Sequence, residues 1–123
     1  MEYVLSYVDG IFEVRTAGEG CTPDFAGIIE SIIMHPEWHS GGRVFIDHSY
    51  INFASLSADD IRDISIICAR YRRELGHGKC AILVSGDVEF GKTRMWESTI
   101  EGNWDMQVKV SRDREILFSW LKN

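Results

Sequence analysis

Apolar residues alternate with polar ones along the first 17 residues, and a two-residue break, Asp9-Gly10, splits that run. Tyr3–Val8 and Ile11–Ala17 therefore read as two strands joined by a tight hairpin turn, because Asp-Gly suits the positive-φ turns that match strand twist. The period then changes. Phe25, Ile28, Ile29, Ile32 and Ile33 fall on one helical face. Thr22 reads as the N-cap of this helix, with Pro23 at its first position and Asp24 in its first turn. Pro36 and Gly41-Gly42 end it.

Arg43–Asp47 is a short apolar run closed by an acid, as expected of a buried strand. Ser57-Ala58-Asp59-Asp60 carries a capping signature. Ile61, Ile64, Cys68, Tyr71 and Leu75 follow at spacings of 3, 4, 3 and 4, which predicts one amphipathic helix. Its acids (Asp59, Asp60, Asp63) sit at the N-terminal end and its bases (Arg70, Arg72, Arg73) at the other, matching the helix dipole. Lys79–Val84 is a further buried strand. A helix starting within Asp87–Thr93 runs through Met95, Trp96 and Ile100 to Gly102-Asn103. Met106–Val110 is the last strand, and Ser111 is the expected cap of a last helix with Ile116, Leu117, Trp120 and Leu121. The order is β-β-α-β-α-β-α-β-α. Alternation of strands and helices implies right-handed crossovers and a largely parallel sheet. The leading hairpin makes it mixed, so the expected fold class is α/β: a mixed five-stranded sheet flanked by four helices, as one domain over residues 1–123.

Composition narrows the function classes. The chain has 13 Lys+Arg against 19 Asp+Glu, a net charge of −6, which disfavours general binding to nucleic acid. No apolar run approaches the ~20 residues of a membrane span, and the first residues lack a basic region with an apolar core, so a cytoplasmic location is expected. Three widely spaced cysteines, Cys21, Cys68 and Cys80, fit reduced core thiols. No cofactor or metal is expected. His35 and His39 are four apart, but Pro36 breaks the helix that would align them. Asp47, His48 and Ser49 have the residue types of a hydrolytic triad, yet strand neighbours point to opposite faces. Trp38, Trp96, Trp104 and Trp120 are too many large rings to be fully buried in so small a core. Some of the four are expected at a pocket or dimer interface, and Trp96 and Trp120 in the core.

Gly86-Asp87-Val88-Glu89-Phe90-Gly91-Lys92-Thr93 matches the phosphate-loop pattern at every fixed position, so Gly86, Gly91, Lys92 and Thr93 are candidate nucleotide-binding residues. The surroundings argue against it. Asp87 and Glu89 repel phosphate, and Phe90 crowds a loop that must curl. The one later strand ends in Ser111 rather than a metal-holding acid. The competing expectation is that Gly91-Lys92-Thr93 lies in an early helical turn.

Ala81, then Asp87, Phe90, Gly91, Arg94, Met95 and Glu97, then Val108, Val110, Arg112, Asp113, Trp120 and Leu121 follow the pattern of the bacterial SpoIIAA-like (STAS-like) proteins. The chain resembles that family over nearly its whole length. The resemblance implies a mixed sheet flanked by helices and a non-catalytic regulatory or protein-interaction module. Its best-known members are anti-sigma factor antagonists, in which a partner kinase phosphorylates a Ser at the start of the second helix. The partners implied are thus a kinase or an anti-sigma-type regulator, or a second copy in a homodimer. Where the antagonists have Asp-Ser-Ser-Gly, this chain has Ala54-Ser55-Leu56-Ser57. Ser55 is the nearer match to the phosphoacceptor; Ser57, the other candidate, reads as the helix cap. The interaction or ligand surface is expected at Asp47, His48, Phe90, Arg94 and Trp96, near C-terminal strand ends. Arg94 is expected to pair with Glu97 or Asp87. The alternative function is binding of a small apolar molecule between sheet and aromatic helices.

Overall fold

The computed structural model describes residues 1–123. Strands β1 (Glu2–Val8) and β2 (Ile11–Glu19) form the expected hairpin. Asp9 and Gly10 both take positive φ, 54° and 78°, as a two-residue turn of this kind requires. Helix α1 (Thr22–Ile33) leads to β3 (Arg43–Asn52). Helices α2 (Ala58–Ala69) and α3 (Arg72–Leu75) lead to β4 (Lys79–Leu83). Helix α4 (Asp87–Ile100) leads to β5 (Gln107–Ser111), and α5 (Arg114–Lys122) closes the chain.

The five strands are ordered β1-β2-β3-β4-β5. The first pair is antiparallel and the rest are parallel. The sheet thus grows in one direction through three crossovers, and crossovers of one hand stack their helices on one face. Accordingly α1 packs on α2 and α2 on α4, over a core that includes Val14, Ile28, Val44 and Ile82. Only α5 follows the last strand, and it covers the opposite face with Leu117 and Leu121 against Phe45 and Ala81.

Several local expectations are corrected. The N-cap of α1 is Cys21, one residue before Thr22, and Cys21 is exposed rather than in the core. The helix expected to reach Leu75 breaks after Ala69. There Trp104 Nε1 donates to the Cys68 carbonyl at 2.7 Å, the acceptor that the next turn would use. One short turn, α3, resumes beyond it, so the sheet carries five helices and not four. The cap of α5 is Asp113, whose side chain accepts from the Glu115 and Ile116 amides; Ser111 ends β5 instead. Trp96 and Trp120 are half-buried at the margins of the two cores.

The third strand runs five residues past Asp47. Its register against β2 slips by one, since Arg15 faces Asp47 but Ala17 faces Tyr50. This is a β-bulge at His48-Ser49. It resets the alternation: Val44, Ile46 and His48 face the three-helix side, and then Ile51 and Phe53 do.

Candidate functional site

The bulge and the loop after β3 build the most distinctive region. Thr16, buried on β2 opposite the bulge, donates its hydroxyl to the Asp47 carbonyl at 3.1 Å and meets His48 Nδ1 at 2.6 Å. With its one proton committed to the carbonyl, the hydroxyl accepts from Nδ1–H. Burial pushes the His48 pKa down to about 4, against a smaller upward pull from Asp47. The ring packs edge-on against Phe25 and Phe53.

Residues 53–57 cross above this ring toward α2. Ser57 caps α2 as expected: its Oγ accepts from the Asp60 amide, and the Asp60 carboxylate accepts from the Ser57 amide at 2.8 Å. The Ser57 hydrogen bond holds the Asp60 carboxyl below its ordinary pKa. Ser55 is exposed in the loop. The loop is tied down from α4. Lys92 Nζ donates to the carbonyls of Phe53 (2.8 Å), Ala54 (3.2 Å) and Leu56 (2.6 Å). Glu89, one turn earlier, accepts from the Phe53 amide at 3.0 Å. An ammonium has three N–H donors, and all three are engaged here.

That arrangement corrects the phosphate-loop expectation. Helix α4 already begins at Asp87, with Gly86 as its N-cap, so Gly91, Lys92 and Thr93 lie inside the helix. No backbone loop curls to present amides to phosphate, and the lysine serves a neighbouring loop.

Beneath the loop, between the sheet and α1, α2 and α4, lies a cavity of about 80 Å³. Its walls are mostly apolar, with Ile28, Ile64 and Ile82 on three sides, and His48, Lys92, Thr93 and Trp96 complete them. Two lining residues each hold a buried side-chain polar atom without a hydrogen-bond partner: Thr93 Oγ1 and Trp96 Nε1. An unmet buried polar group costs about 1–3 kcal/mol. Burial raises the Cys68 thiol pKa to about 12, against a smaller downward pull from the nearby Trp96 indole N–H.

The other expected surface residues do not assemble with these. Asp47 is buried and faces α5, where Arg114 reaches it at 3.3 Å and Glu13 at 2.7 Å. Its Oδ1 also accepts from the amide and hydroxyl of Ser49. His48 faces the opposite side, so Asp47, His48 and Ser49 form no triad. Neither Asp47 nor His48 is a surface residue. Phe90 lies under Arg112, 4.9 Å from its ring centre, and Arg112 pairs with Asp87 at 2.7 Å. Arg94 pairs with Glu97 at 3.3 Å on the exposed side of α4. Of the five, only His48 and Trp96 meet, at the cavity. Thr16, Phe53, Cys68 and Glu89 complete the region and were not among the expected site residues. For Glu89 the sequence does hold a signal: it sits three residues before Lys92, so both charges share one face of α4.

Structural comparison settles the architecture. A crystal structure of an uncharacterised protein from Shewanella loihica PV-4, of the DUF3478 family and with a SpoIIAA-like fold, superposes with a TM-score of 0.60. The match covers 98% of this chain and 92% of that one at 14% identity. The fold is SpoIIAA-like. The resemblance read from the Asp87–Glu97 and Val108–Leu121 motifs holds in fold. No protein-family model matches the chain, and no curated protein matches it. No helix of this SpoIIAA-like chain is long and apolar enough to cross a membrane.

Proposed function

We propose that this SpoIIAA-like chain is a non-catalytic regulatory module. A small, mostly apolar molecule held between sheet and helices sets how the Ala54–Ser57 loop is presented to a protein partner. The supporting observation is the shared clamp. Lys92 lines the cavity and also holds three carbonyls of that loop. A side chain that packs a cavity wall and fixes an exposed loop couples the two without any large movement. The non-catalytic reading rests on chemistry. The cavity wall carries a neutral, hydrogen-bonded imidazole and a thiol held protonated, and neither is an activated nucleophile.

Amide NMR on the full chain tests this with 2-methyl-1-butene as the probe. Saturable shifts are expected at cavity residues and also at Ala54–Ser57, and Lys92→Met should abolish the loop shifts while the cavity shifts remain. Shifts confined to the cavity, or loop shifts that survive Lys92→Met, overturn the coupling.

A further inference from the structure

The two edges of the sheet are guarded differently. An exposed strand edge invites pairing with another chain, and proteins commonly blunt it with a short strand, a lysine, a proline or a bulge. The β5 edge follows that rule, with five residues and Lys109 at its centre. The β1 edge does not. It has seven residues with no Pro and no Lys, and its register against β2 is unbroken. Three of the nine large apolar residues that the molecule exposes, Val4, Tyr7 and Val8, lie in this one strand.

The hairpin determines which backbone groups are left over. In a two-residue hairpin the residues flanking the turn, here Val8 and Ile11, exchange both hydrogen bonds. Bonded and unbonded positions then alternate. Glu2, Val4, Ser6 and Val8 bond β2, and the N–H and C=O of Tyr3, Leu5 and Tyr7 point outward. No backbone group elsewhere in the fold bonds them. The side chains of these three face the three-helix side, where the Tyr3 hydroxyl meets Ser31 at 2.9 Å and the Tyr7 ring lies 4.5 Å from Phe12. Val4 and Val8 face the other side, where α5 packs on β3, β4 and β5, and they are 61% and 57% exposed.

The residues of this edge suit a copy of themselves. In Tyr3-Val4-Leu5-Ser6-Tyr7 the outward-bonding positions carry the same side chains from either end. A twofold interface must be complementary to itself. An antiparallel copy centred on Leu5 meets that condition. Leu5 pairs with Leu5 of the second copy, Tyr3 with its Tyr7 and Tyr7 with its Tyr3, and each pair exchanges two backbone bonds. The strand's one charge, Glu2, faces Val8, whereas a parallel copy would set Glu2 against Glu2. Val4 comes diagonal to both Val4 and Val8 of the second copy, so the exposed valines join into one row.

We propose that β1 pairs antiparallel with β1 of a second copy of this chain, about a twofold axis at Leu5, and joins the two sheets into one. A single strand pair is small against the about 1,200–2,000 Å² of stable interfaces, so the dimer is weak and forms as concentration rises.

Sedimentation velocity of the full chain from micromolar to millimolar concentration, with amide hydrogen exchange at both ends of that range, tests this. A concentration-dependent dimer is expected. In it the Tyr3, Leu5 and Tyr7 amides should exchange about tenfold more slowly than in the monomer, and the Val4 and Ser6 amides, already bonded to β2, should change little. Val4→Lys combined with Val8→Lys gives this edge the kind of charge that β5 carries and should abolish the dimer. Ile66→Lys, at an exposed apolar residue of α2, should leave it intact. A chain that stays monomeric at millimolar concentration overturns the proposal. So does a dimer whose Tyr3, Leu5 and Tyr7 amides exchange as fast as in the monomer, or one that survives the paired lysines. Should the double variant unfold, the alternating exchange pattern of the wild type still decides.

Discussion

The two faces of this one sheet are packed to different standards. On the α5 face, Phe45, Ala81, Leu117 and Leu121 are all fully buried, and Phe118 stacks on Phe45 at 4.3 Å. The charges at its edge are matched, since Arg114 bridges Glu13 and Asp47 and lies over both Phe rings. On the three-helix face, the same strands leave a cavity, and two of the residues around it hold a buried polar atom without a partner. Protein interiors are ordinarily close-packed, and buried polar groups are ordinarily bonded. One face is therefore built for stability. The other gives up stability in one place, as expected where a site has been kept open.

Truncation should expose this difference most strongly. Leu117→Ala removes a side chain with contacts on every side and should cost about 4 kcal/mol. Ile64→Ala removes one that already borders empty space, so it forfeits fewer contacts and should cost about 1 kcal/mol less. Urea denaturation of both variants measures the gap. Equal costs would mean that the three-helix face is as well packed in solution as its counterpart.

Acid should separate the faces next. The unfolded imidazole of His48 takes a proton near pH 6.5, but the folded one only near pH 4. Between those values the unfolded state binds more protons, so stability falls as pH drops. The contribution is complete above pH 6.5 and is lost toward pH 4, on the order of 3 kcal/mol in all. Other acids titrate there too, so the informative quantity is the difference between wild type and His48→Gln. Melting curves at pH 7.5 and 4.5 should show a smaller acid loss in the variant. An unchanged loss would mean that His48 is hydrated.

Much of the sheet is legible in the sequence, because its signals are local. Asp9-Gly10 dictates a turn that only positive φ can make, and Ser57 with Asp60 closes a capping box within four residues. The motif from Asp87 to Glu97 points to the fold as a whole. The site is less legible because it depends on pairings distant in sequence. The bulge at His48-Ser49 hides in a polar run that breaks alternation, and Thr16 reaches it from 32 residues away. The helix break after Ala69 is set by Trp104, which bonds the Cys68 carbonyl from 36 residues on. Lys92 reads as a phosphate ligand in one dimension because a lysine after glycine looks the same whether it faces a nucleotide or three carbonyls.

Lys92→Met tests what that lysine contributes. The thioether keeps most of the stem packing but leaves three carbonyls without their donor. The Ala54 carbonyl is exposed and regains water, and the Phe53 and Leu56 carbonyls are part-buried, so the expected loss is about 2 kcal/mol rather than the sum of three charged hydrogen bonds. Hydrogen exchange at the Phe53–Ser57 amides should accelerate well beyond that of α5. Uniform acceleration across both faces would mean that the clamp supports the whole fold and not the loop alone.

The smallest effect has the opposite sign. Thr93→Val replaces a hydroxyl that has no partner with a methyl of nearly the same shape. Removing an unmet buried polar group while keeping the volume should raise stability, by about 1 kcal/mol. Most substitutions destabilise, and a gain at a position this buried needs a stated cause. Thr99→Val in the same helix is the matched control, because it deletes a hydroxyl bonded at 2.9 Å to Met95 and should give no such gain. A rise in melting temperature for Thr93→Val alone would show that α4 carries a polar group its own fold does not use. A loss at Thr93 equal to that at Thr99 would mean that the hydroxyl is satisfied by water in solution, and the contrast between the two faces would narrow to packing.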